Sequence, residues 1–451
     1  MRSREYEMEQ MDMGEYRKLF DGIHTELSDY FFRWYFDRPF AVTPQRDGEL
    51  GRISDLLHRF LQFYAGHYRE YLDIIPYEDR VLRYLEMQEA YGPYRAGTAR
   101  IDYIIGDDGG IRVCEITSRF FGNGYFLSFF ADKKGRELAE EITGREAYEP
   151  DGSARGLAGM FPETAAGDAA DGAASPPGLR MESLLAAFAD LAADRDQIFV
   201  LKSADRSDSI RLYVPFYRAL GKEVTVLEAD EVPDAARSGA FEKSLVLSAL
   251  NQRDLLAMPD DVIRRIIDAG QYNDFRSVFL AHDKRVLSLL FSDSVTDRIF
   301  TPEETGFIRR HVIPTYLFGE HEEKWADARR ARNGYILKHR ALGKSEMVYA
   351  GCMTQKEEWE RLFEDSPDRE APVRGMILQP FIRQREIPNT WEGKAYTEYV
   401  SGTILLFDGK YYGTGLFRSS SLPVLNKGDD RKAGYVVTGD TDAFGGRVLL
   451  L

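Results

Sequence analysis

Cysteine is scarce in this chain. There are two in 451 residues, Cys114 and Cys352, far apart and in no C-x-x-C pair. That excludes a disulfide-stapled scaffold and a cysteine-ligated zinc site, and it points to a reducing cytoplasm. Histidine is thin as well: the seven, at 24, 58, 67, 282, 311, 321 and 339, form no H-E-x-x-H and no paired spacing. A histidine-ligated metal is therefore not expected. Long apolar runs are missing. The greasiest early stretch, YFFRWYF at 30–36, is too short to cross a bilayer and contains Arg33. The first residues lack the apolar core of a signal peptide, so a cytoplasmic protein with no membrane partner is expected. An excess of basic charge is missing too. Lys+Arg is 59 against 74 Asp+Glu, a net charge of −15. Such a field repels a phosphate backbone, and no nucleic-acid partner is expected.

Several chemical signatures are absent. Gly343-Lys344-Ser345 suggests a phosphate-binding P-loop, but the glycine that loop requires five positions before Gly343 is Lys338. GNG at 122–124 and GTG at 413–415 begin a dinucleotide fingerprint and end in Leu127 and Arg418, where its third glycine belongs. They read as turn glycines. There is no G-x-S-x-G elbow.

What remains is ordinary globular material, 43% hydrophobic and 13% aromatic, enough for two to three lobes with real cores. Ile53, Leu56, Leu57, Phe60, Leu61 and Tyr64 share one face of a helix. RIDYII and IRVCEIT flank GDDGG and read as a β-hairpin. Residues 150–180 are rich in Ala, Gly, Asp, Ser and Pro and read as a flexible linker. Beyond them IFVL (198–201), a helix near Ile210–Leu220 and VTVL (224–227) form a strand–helix–strand unit. SLVLSAL (244–250) and VFLA (278–281) read as further strands, with a helix near Asp261–Ala269 between them. Strands alternating with helices imply a parallel sheet. TILLF and KYYGTGLFR are joined by Asp408-Gly409, a strong two-residue hairpin signal.

The hairpin carries the chemistry. With Asp107–Gly110 as a four-residue loop, Gly106 pairs with Ile111, Asp102 faces Glu115 and Arg100 faces Thr117, all on one side of the sheet. Two carboxylates directly opposed repel unless a cation lies between them. Magnesium, which takes few carboxylates and completes its shell with phosphate oxygens, suits that pair. A second group lies far along the chain. His282-Asp283 reads as a helix N-cap, which puts Lys284 in a first turn, where a cation is unfavourable without an anion nearby. Ile336 and Lys338 share one face of the strand YILKH. MILQP ends in Gln379-Pro380, and Arg418 ends a hairpin strand.

The order R-x-D, E-x-T, HDKRVLSLLF, a strand lysine, an apolar strand ending in Gln, then GTGLFRSSSLPVLN resembles the circularly permuted ATP-grasp family, as found in the synthetase half of glutathionylspermidine synthases. The resemblance covers residues 94–117 and most of 278–439. It implies a mixed α/β fold (α+β) with a permuted ATP-grasp core and a Rossmann-like accessory lobe. Residues 1–149 are then a helical region plus the metal-binding hairpin, 150–180 a linker, 181–277 the Rossmann-like lobe and 278–451 the nucleotide-binding lobes. It implies Asp102, Glu115 and Thr117 as magnesium ligands, with Asn123 an alternative to Thr117. It assigns Lys284, Lys338 and Gln379 to ATP, and Arg100 and Arg418 to the charge of the transferring phosphoryl group. The activity implied is ATP-dependent carboxylate–amine ligation through an acyl phosphate, with ATP and Mg²⁺ as cofactors and a small-molecule or peptide carboxylate and an amine as substrates. The alternative is a non-catalytic nucleotide-binding regulator or assembly protein. Oligomeric state is open.

Overall fold

In the computed structural model the described residues are 39–129, 131–132, 181–204, 209–343, 345–366, 370–391 and 393–425, with short strands at 432–434, 436–438 and 449–450. The expected linker at 150–180 lies outside them. The fold is mixed α/β; the described residues form helices, two antiparallel sheets and two small parallel ones.

Strand β1 (Phe40–Val42) leads into helix α1 (Pro44–His67). Thr43 caps the helix by accepting the Arg46 N–H, and Pro44 occupies the first turn, where its missing N–H costs nothing. The apolar face read from the sequence is the buried one: Ile53, Leu57 and Phe60 are fully enclosed. Helix α2 (Asp79–Tyr91) adds Tyr84 and Leu85 to the same core.

The main sheet has seven strands. Its spine runs β15 (Lys432–Gly434), β14 (Phe417–Ser420), β12 (Lys394–Phe407), β2 (Thr98–Ile105) and β3 (Ile111–Thr117). Strands β11 (Ile387–Trp391) and β13 (Lys410–Thr414) also pair with β12. β12 runs antiparallel to β2 over all but the last residue of β2, from Ser401 against Ile104 to Phe407 against Thr98. Asp408 and Gly409 both have positive φ and close β12 onto β13, the turn that Asp-Gly favours.

The parallel unit is also present. β4 (Gln197–Lys202) lies between β5 (Glu223–Glu228) and β6 (Leu245–Ala249), with helix α3 (Ile210–Ala219) making the first crossover. Helix α4 (Asp260–Asp268) follows β6. VFLA is not a strand. Ser277–Ala281 is a buried π-helical turn. An apolar run this short, enclosed on all sides, has no periodicity that separates strand from helix.

A second antiparallel sheet has the order β7 (Tyr316–Leu317), β10 (Met376–Pro380), β8 (Tyr335–His339), β9 (Val348–Ala350). The remaining sheet places β1 between β16 (Val436–Thr438) and β17 (Leu449–Leu450). No helix among the described residues is long and apolar enough to cross a membrane.

Candidate functional site

The β2–β3 turn is one residue wider than the sequence suggests. Ile105, not Gly106, pairs with Ile111, and Gly106 N–H donates to Gly110 O across the turn. A bulge at Cys114 compensates. Tyr103 pairs with Val113 and Asp102 with Glu115, so Cys114 faces no partner and the register moves by one. Asp102 therefore does stand opposite Glu115, and Arg100 opposite Thr117. Arg418 reaches the same face from β14, because Ser401 pairs with Arg418 while Thr403 pairs with Asp102.

The two carboxylates are held by cations of the protein itself. Arg100 grips Asp102 at two points, Nε to Oδ1 at 2.7 Å and Nη2 to Oδ2 at 2.8 Å. Arg418 Nη2 lies 3.4 Å from the same Oδ2. Lys284 Nζ lies 3.4 Å from Glu115 Oε2. Asp283 caps the 3₁₀ turn Lys284–Phe291 as expected, accepting the Arg285 N–H. The anion that makes Lys284 tolerable in that first turn is Glu115. Lys284 is 3% exposed.

The second sheet supplies the rest. Lys338 pairs with Ile377, and Ile336 with Gln379, so Lys338 and Gln379 share a face of β8–β10. Gln379 is fully buried. Its Nε2 donates to Thr315 Oγ1 at 2.9 Å, and its Oε1 has no partner among the described residues. Thr117 is buried, and Asn123 is half-buried in the Gly122–Gly124 turn. Gly124 has φ +87°, and a Cβ there would lie 3.1 Å from Arg100 Nη1. The glycine lets Arg100 lie against the turn.

Burial alone would raise the Glu115 pKa, but Lys284, Lys338 and Arg100 outweigh it and hold the carboxyl well below its usual range. Arg100 stays charged for the converse reason: Asp102 and Glu115 overcome its burial. Cys114 is pushed up to about 11 by burial, against the pull of Lys338. His282 is pushed down to about 3 by burial and by Lys284 and Arg119. From the sequence Cys114 reads only as a lone thiol and His282 only as part of a helix N-cap, and Arg119 carries no reading at all. Only the bulge and the tertiary packing bring them to the site.

Arg100, Arg418, Lys284 and Lys338 outnumber the two carboxylates two to one, in a chain of net charge −15. One of the four, Lys284, is buried and the other three are half-buried, and such an excess of shielded positive charge suits an anion with several negative oxygens. Among the described residues, no group of three or more His, Cys, Asp or Glu gathers to hold a metal. Two carboxylates remain, which is as many as magnesium needs when phosphate supplies the other oxygens. The donor set thus fits a magnesium–polyphosphate. A shallow cavity of about 600 Å³ at the Tyr335–Pro380 end of β8–β10, lined by Asp327, Arg332 and Asn333, contains none of these residues.

Residues 52–280 match the model of the AnkG N-terminal domain family. That is just over half of the chain, and the chain belongs to this family. No curated protein matches it. The family assignment corrects the resemblance drawn from the order of motifs: the chain is not identified as a permuted ATP-grasp protein or as a relative of glutathionylspermidine synthase. The labels that came with that likeness, ligase and ATP-binding among them, have no family behind them. The physical reason is visible in the site. Each short motif has a structural job in this fold, Arg100 pairing with Asp102 two residues away and Lys284 with Glu115 across the tertiary structure, and a sequence order of such pairs is not a family signature. Arg100, Asp102, Glu115 and Thr117 lie in the matched segment; Lys284, Lys338, Gln379 and Arg418 lie beyond it.

Proposed function

We propose that the cluster binds the phosphates of a magnesium–nucleoside triphosphate and that the chain is an ATP-dependent enzyme joining a carboxylate to an amine. The observation that supports this most is the cation excess: two arginines and two lysines gathered by two antiparallel sheets and one helix turn around two opposed carboxylates. In this reading Asp102 and Glu115 hold the metal, with Thr117 or Asn123 beside them. A metal held there would supply neutralisation of phosphate charge. Lys284 and Lys338 hold the phosphates. Gln379, with its free buried carbonyl on the same strand face as Lys338, reads the base.

The chemistry asks the protein for position and charge more than for covalent help. A carboxylate oxygen attacks the γ-phosphorus, and ADP leaves. An amine nitrogen then attacks the acyl carbon, inorganic phosphate leaves, and the amine proton passes to solvent. Arg418 and Arg100 face the charge that grows on the transferring group. The reducing cytoplasm, with Cys114 and Cys352 both free thiols, is the proposed compartment.

The test is phosphate release from MgATP across a matrix of amino acids, peptides and polyamines, with mass spectrometry of the products. An amide product appearing together with phosphate supports the reading; no ATP-dependent product across the matrix contradicts it. One observation favours a second reading, a nucleotide-binding protein without turnover. Asp102 has both oxygens taken by arginines, which leaves it less open to a metal. Saturable nucleotide binding with no turnover would select it.

A further inference from the structure

Lys284 is already occupied. Besides Glu115, its ammonium donates to the carbonyl of Leu342 at 2.7 Å, and its backbone N–H donates to Arg340 O at 2.9 Å. Both acceptors belong to the stretch Arg340–Gly343 that leaves β8 just after Lys338. Two histidines tie the same stretch. His282 Nε2 lies 3.2 Å from Ala341 O, and its Nδ1 lies 3.3 Å from Ile116 O on β3. His339 Nδ1 accepts the N–H groups of Ala341 at 3.1 Å and Leu342 at 3.2 Å. So a strap of four residues is fastened from two sides, by His339 at the end of β8 and by His282 and Lys284 at the start of the 3₁₀ turn.

Lys284 is nearly inaccessible, so an anion that reaches Nζ has to displace a present partner. Glu115 is charged and sits on a paired strand. The Leu342 carbonyl is neutral and sits on a loop. The weaker and more mobile partner gives way. We propose that the strap is an internal competitor for the anion: the Leu342 carbonyl holds Lys284 in the free protein, and an anionic oxygen entering the site takes the lysine and opens the strap. The proposal rests on the reading of Lys284 as a phosphate contact and adds a direction to it, since ligand entry loosens this loop.

His282 and His339 are the strap's anchors. Burial holds both neutral, with Lys284 adding to the effect on each. A neutral imidazole has one N–H, so His282 can donate to Ala341 O or to Ile116 O but not to both. His339 anchors as an acceptor.

The experiment uses inorganic triphosphate with Mg²⁺ and the full chain. His282→Leu and His339→Phe each remove an anchor, and each should bind triphosphate about fivefold more tightly, the scale of one hydrogen bond. A purely structural role for either histidine would weaken binding. Hydrogen exchange on the wild type needs no variant: saturating triphosphate should speed exchange at the Ala341 and Leu342 amides. Protection of those amides on binding, or unchanged or weaker affinity in both variants, overturns the proposal while leaving the phosphate site standing. A wild type that binds no triphosphate overturns both.

Discussion

The thiol of Cys114 donates to the backbone carbonyl of Asp102 at 3.3 Å. That contact closes the bulge, and the bulge sets Asp102 against Glu115 on the face they share with Arg100. Backbone register, not the thiol's chemistry, is what Cys114 provides. Cys114→Ala should cost less than about 1 kcal/mol, the worth of one weak hydrogen bond. With its pKa raised to about 11 by burial, Cys114 should react slowly with a disulfide reagent at pH 8, while the exposed Cys352 reacts first. Two equally fast thiols would contradict this.

Asp102→Asn should destabilise the protein by about 3 kcal/mol. From the sequence, removing one of two opposed carboxylates looks like relief of repulsion. In the structure each carboxylate is matched by cations, so the substitution takes from Arg100 its two-point ion pair and from Arg418 a neighbouring negative charge, in a largely buried setting. Urea unfolding measures it; an unchanged or raised midpoint would show that the pairing is not what holds these arginines.

Acid should destabilise the fold in two stages. His282 and His339 are lowered to about 3 and about 4, mainly by burial. The unfolded chain therefore binds protons that the folded chain refuses once the pH falls below about 6.5. Their contribution is complete above that pH and is lost progressively toward pH 3–4. Glu115, depressed by its lysines, adds a loss of the same sign below its ordinary carboxylate range. Melting temperature against pH should fall below pH 6.5, and the fall should be shallower in His282→Leu. A flat profile from pH 7 to 4.5 would contradict it.

Residues 39–280, which contain the family-matched segment, should not fold alone. β2 would lose β12, its partner from Thr98 to Ile104, and expose a buried sheet edge. Circular dichroism and solubility of that fragment test this. A cooperative melt would mean the matched segment is an autonomous domain.

Arg418→Ala should keep most of the affinity for MgATP and lose about a hundredfold or more in rate, because it acts where charge develops. Equilibrium binding and single-turnover acyl-phosphate trapping in one variant separate the two effects. Loss of affinity with the rate kept would make Arg418 a ground-state contact.

Local patterns were the legible part of this chain. The apolar face of α1, the Asp408-Gly409 hairpin and the shared face of Ile336 and Lys338 follow from period and turn chemistry, and the structure shows each. The pairing of Asp102 with Glu115 came out as read, although by a wider turn and a bulge that no turn motif announces. The reading of VFLA as a strand is wrong, because a fully buried segment of four residues has no polar face to set its period. The role of His282 at the strap is not legible in the sequence, because its contacts join residues 59 and 166 positions apart. The family was misread for the same reason: charged residues that meet only in three dimensions were taken as an ordered signature.

The central claim is that Lys338 and the cations around it form a site for the phosphates of a nucleotide. Calorimetric titration of MgATP into the full chain, wild type against Lys338→Ala, tests it most directly. Saturable binding in the wild type, weakened about tenfold or more in the variant, is the expected result for losing one charge-assisted contact. No saturable binding in the wild type, or equal affinity in both proteins, would contradict it.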